Sequence, residues 1–98
     1  MVDDKLSRAI IEYLAKGRSS FPKTDEAAVV AAAGDDAADM VVRVREIVDE
    51  MMAIEVDWSE CSLSEGARTA RVTMGSRHPE LSDEALDVLH WMFSYSWR

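Results

Sequence analysis

The apolar positions of this chain recur mostly at helical spacing. Leu6, Ile10, Tyr13 and Leu14 share one face of a segment from about Asp4 to Lys16, with Gly17 behind it as a left-handed stop. Thr24 stands ahead of Asp25 and Glu26 as an N-cap, and a short helix of small residues, Ala27 to Ala33, runs to Gly34. Asp35 or Asp36 then caps a third helix, where a carboxylate meets the positive end of the helix dipole. From Ala37 onward, Met40, Val41, Val44, Ile47, Val48 and Met51 form one broad apolar stripe, with Asp39, Arg43, Glu46, Asp49 and Glu50 on the other side. Asp39 and Arg43 lie at i,i+4 with the acid nearer the amino end, a pairing worth about 0.3 kcal/mol.

The stretch after Met52 supports two readings. Apolar and polar residues alternate strictly from Ala53 to Ser59, and Ala70, Val72 and Met74 alternate again, as in the two strands of a small hairpin. Against this, Ser62-Leu63-Ser64-Glu65 is a capping-box pattern, and Leu63, Ala67, Ala70 and Met74 follow it at helical spacing. Cap and stripe agree with each other, which favours a fourth helix from about Leu63 to Ser76. After the breaker His78-Pro79, Ser82, Asp83 and Glu84 start a last helix. Its apolar residues, ending in Trp91, Met92, Phe93, Tyr95 and Trp97, cover most of its circumference, so it must be enclosed by its own domain or by a partner. The expected fold is mainly α, a compact four- or five-helix bundle formed by residues 1–98 as a single domain. The alternative is an α+β domain with a small hairpin at about 53–74.

Ninety-eight residues with 48% hydrophobic content suit one core that folds without staples. The single cysteine, Cys61, closes no disulfide within the chain. The acidic start, Met1-Val2-Asp3-Asp4-Lys5, does not resemble a secretory signal, and the longest apolar run, Ala27 to Ala33, is too short to span a bilayer. These features point to a cytoplasmic protein without membrane contact.

The net charge of −8 is unevenly placed: residues 34–60 hold nine acids against Arg43 and Arg45, while the flanking segments are nearly balanced. Such a field repels phosphate and favours basic partners. Small residues, Gly34 and then an amphipathic helix, over Ala28 to Ile47, loosely resemble the helix-turn-helix of DNA-binding regulators. That resemblance implies a helix entering a groove with Asp35, Asp36 and Asp39 first, the reverse of what nucleic acid requires, and no nucleic-acid partner is expected.

Residues that carry chemistry are few. Two histidines and one cysteine are too few for a cysteine-rich zinc site, and Asp87 with His90 is only half of the acid–histidine set a dinuclear bundle site needs. No serine-hydrolase elbow or phosphate-cradling glycine loop occurs. No catalytic residue, metal or cofactor is therefore expected. Glu55, if buried, would pair with Arg68 or Arg71.

The first expectation for function is a non-catalytic protein-binding domain, an adaptor, regulator or inhibitor of the immunity type, whose ridge Asp39, Glu46, Asp49 and Glu50 meets a basic partner protein. A second is a homodimer joined through Trp91 and Tyr95, residue types enriched at interface hot spots. A third is a small enzyme or ligand-binding domain with a pocket near Glu55, Trp58 and His90.

Overall fold

The computed structural model describes residues 2–96. Its first helix, α1 (Asp4–Leu14), starts where the Asp3 carboxylate accepts the Leu6 amide at 3.0 Å, satisfying one of the free amides of the first turn. The helix buries Leu6, Ala9, Ile10, Tyr13 and Leu14 along one side. It ends two residues earlier than the apolar spacing predicts, because Ala15 takes the left-handed conformation (φ 62°) and returns its amide to the Ile11 carbonyl. The chain then doubles back along the end of α1, with the Lys23 amide on the Leu14 carbonyl and the Asp25 amide on the Tyr13 carbonyl.

That return sets the start of α2 (Glu26–Ala33). Asp25, and not Thr24, is the N-cap: its carboxylate accepts the Ala28 amide at 3.0 Å. Gly34 (φ 65°) and a single 3-10 turn, Gly34–Asp36, lead directly into α3 (Ala37–Met52). Asp36 occupies the N-cap position of α3 without making a side-chain cap, since its carboxylate is drawn to Lys5 of α1 at 2.7 Å. On α3, Val44, Ile47 and Met51 are fully buried, and Met40, Val41, Val48 and Met52 pack against the core from its edges.

Residues 53–62 form a loop, and α4 (Leu63–Arg77) follows. The capping box is complete: the Glu65 amide donates to Ser62 Oγ at 3.2 Å and the Ser62 amide to Glu65 Oε1 at 3.3 Å. Ala70 and Met74 are buried while Val72 between them is 63% exposed, so the alternation that suggested a strand is resolved by helical phase. The alternation in 53–59 has another cause. Ile54 and Val56 turn toward the core from an extended loop while Ala53, Glu55 and Asp57 face outward, with no ladder on either side.

The loop is fastened by Trp58, whose ring stacks on Phe93 at 6.1 Å between centroids and lies across the backbone of Gly66. A Cβ at position 66 would fall 2.5 Å from the indole, so only glycine permits that approach.

The last helix, α5 (Asp83–Ser96), opens at Ser82, whose hydroxyl accepts the Ala85 amide at 3.1 Å. Ser82 in turn donates its own amide to Ser7 Oγ at 3.0 Å, giving that fully enclosed α1 hydroxyl a partner. α5 packs on α1, α3 and α4, burying Ala85, Leu86, Val88, Leu89, Met92 and Phe93. The described residues thus form a helical bundle of five α-helices with no named strand. No helix among them is long and apolar enough to cross a membrane.

Candidate protein interface on the third helix

With its apolar stripe turned inward, α3 points Asp39, Val42, Glu46 and Asp49 away from the domain, all of them exposed. At 1.5 Å per residue this crest is about 15 Å long. The two arginines of the helix stand on either flank of the crest, and both are drawn sideways. Arg43 reaches Glu80, in the turn between α4 and α5, at 2.8 Å. Arg45 reaches Glu26 of α2 at 3.6 Å. The expected Asp39–Arg43 pair gives way because Glu80 offers Arg43 a carboxylate that is itself largely covered. Among the described residues, Asp39, Glu46 and Asp49 consequently have no counter-ion within salt-bridge distance.

Glu50, the fourth residue of the expected ridge, faces elsewhere. Its two oxygens lie 3.0 and 3.1 Å from His78 Nε2, and Arg77 Nη1 approaches at 3.3 Å. The bond to His78, helped by Arg77, holds the Glu50 carboxyl below the usual carboxylate range despite partial burial. Glu80 closes the same cluster, with its Oε2 at 3.5 Å from His78 Nδ1 and 2.8 Å from Arg43. Its carboxyl is lowered first by its own backbone amide and then by His78. Glu50 and His78 are 28 positions apart, so no local pattern announces the cluster; only the acidic excess near two flanking bases hints at it.

The residues of the other two expectations are placed as follows. Trp91 is half-buried against the core, and Tyr95, one turn later, is 42% exposed; Trp97 lies outside the described residues. Glu55 and Trp58 share an open cleft of about 470 Å³ with Met52, Ala53, Ile54 and Val56. His90 is not in its lining. It stands instead beside Arg71 and Asp87, where desolvation, reinforced by Arg71, pushes the imidazole pKa down. Glu55 is exposed and is not matched by Arg71, which binds Asp87 at 2.8 Å and the Asp83 carbonyl at 3.3 Å. Cys61 donates its thiol to the Asp57 carbonyl at 3.3 Å. Among the described residues no three histidine, cysteine or acidic side chains stand together as a metal site.

Comparison with protein families, with curated proteins and with solved structures finds no match to this chain.

Proposed function

We propose that the protein is a non-catalytic protein-binding module, of adaptor or inhibitor type, that presents the crest of α3 to a basic surface on a partner protein. The reading is supported by one observation above all: Arg43 and Arg45 are both engaged with other elements, which leaves Asp39, Glu46 and Asp49 exposed and, among the described residues, uncompensated on one face. Carboxylates arranged this way attract cations at long range and suppress association with acidic surfaces. Val42, 55% exposed among them, adds an apolar point of contact at the middle of the face.

The test compares the native chain with a variant carrying Asp39→Asn, Glu46→Gln and Asp49→Asn. Each is immobilised and offered native lysate, and bound proteins are eluted with rising salt. The native chain should retain basic proteins that leave early in the gradient, since exposed charge pairs are screened within about 8–10 Å at physiological salt. The variant should lose them. Equal retention and equal salt dependence by the two chains would reduce the crest to a solvated helix face.

A further inference from the structure

The cluster around His78 lies beside the crest and has a chemistry of its own. Both ring nitrogens face carboxylates: Nε2 faces Glu50 of α3 at 3.0 and 3.1 Å, and Nδ1 faces Glu80 of the α4–α5 turn at 3.5 Å. A neutral imidazole has one N–H and can donate to only one of them, whereas an imidazolium donates to both. We propose that His78 is a proton-operated clamp, which fastens the α4–α5 turn to α3 when its ring carries two protons and loosens that turn when one is lost.

The surrounding groups fit this role. Arg77 of α4 stays on Glu50 at 3.3 Å and Arg43 of α3 stays on Glu80 at 2.8 Å, so both carboxylates remain in position whichever state the ring is in. What changes is the second donor. Without it, His78 Nδ1 and the Glu80 oxygen 3.5 Å away have no proton between them, and the attraction across that gap is lost. Just ahead of α1, the amide of its N-cap Asp3 grips the Glu80 carbonyl at 2.6 Å, tying the N-terminal end of the bundle to the same turn. The clamp therefore bears on three backbone bonds: His78 amide to Met74 carbonyl, Leu81 amide to His78 carbonyl, and Asp3 amide to Glu80 carbonyl. The ring is mostly covered, with 20% of its side-chain surface exposed, which limits competition from water for these contacts.

Amide hydrogen exchange on the whole chain tests the proposal, with protection factors for His78, Leu81 and Asp3 measured at about pH 5.5 and about pH 8. Phe93 and its neighbours in α5 serve as the internal control. The three amides should be roughly threefold better protected at the lower pH, the scale of one modest net hydrogen bond, while the α5 amides keep their protection. His78→Gln, which retains a donor toward Glu50 but does not titrate, should flatten the dependence, and Glu50→Gln should do the same from the other side. Protection that is unchanged between the two pH values in the native chain overturns the proposal, as does a dependence that survives in both variants.

Discussion

The outward strip of α5 and the crest of α3 both carry carboxylates at helical spacing, yet only on α5 does a cation arrive from a neighbouring element. α4 lies along α5 and lends Arg71 to Asp87 and to the Asp83 carbonyl. The crest of α3 has no such neighbour. Its own arginines lie within one turn of it, Arg43 beside Asp39 and Arg45 beside Asp49, but are engaged by Glu80 and Glu26 on the flanks. The charge surplus of this protein is thus a matter of reach as much as of composition: Asp87 is matched by an arginine from the helix alongside, and among the described residues the crest carboxylates are not.

The inner side of α5 and the outward crest of α3 differ as sharply, and the largest expected effect lies on the inner side. Phe93 of α5 is fully buried and supports Trp58, so Phe93→Ala should cost about 3–5 kcal/mol in urea denaturation, the usual range for emptying an aromatic site. A substitution on the crest such as Val42→Ser should stay within about 0.5 kcal/mol, as for other exposed positions. Equal losses at the two sites would dissolve the distinction between an interior side and a presenting side.

A smaller effect is expected where the 53–62 loop is pinned to α4. Gly66→Ala forces a methyl into the indole of Trp58 and into Val56, and should destabilise by about 1–3 kcal/mol while shifting tryptophan emission to longer wavelength as the ring is displaced. Unchanged emission would mean that the loop is held by Ile54 and Val56 alone.

The smallest effect concerns the flank of α3. The Glu50 and Glu80 carboxyls lie below their ordinary value of 4.5 in the folded chain, so their contribution is present above that value and is lost as pH falls through the lowered folded values. Acid unfolding should begin below about pH 4.5, the unfolded-state value. Glu50→Gln should remove part of that acid limb and lower stability near neutrality. An unaltered acid limb in Glu50→Gln would show that the contact with His78 contributes nothing in solution.

Much of this architecture is legible from local pattern, because α4 and α5 each combine a phase and a cap within a few residues, and α3 carries a long phase although Asp36 makes no side-chain cap. The Ser62–Glu65 box decides between helix and hairpin, and the exposure of Val72 bears it out. Other features depend on distant parts of the chain. Thr24 and Asp25 are both competent caps, and the bond from the Asp25 amide to the Tyr13 carbonyl selects the second. Ile54, Val56 and Trp58 alternate because one side of a loop is pressed on the core, a constraint that resembles strand patterning without any strand partner. The crest carboxylates are legible as an outward face, but their lack of counter-ions is not. It depends on Glu26 and Glu80, whose approach to Arg45 and Arg43 is set by tertiary packing. For the same reason Glu50 groups with the crest by helical phase and with His78 in space.

The bond from the Ser82 amide to the Ser7 hydroxyl joins residues 75 positions apart, and it lies where α1 meets α5. During synthesis α1 meets α2 and α3 early, but the part of its cover that α5 supplies is the last to emerge. The apolar surface awaiting α5 stays wet, or in the care of a chaperone, until the segment around Phe93 has left the ribosome. A nascent chain halted before α5 should accordingly be the species most prone to aggregate.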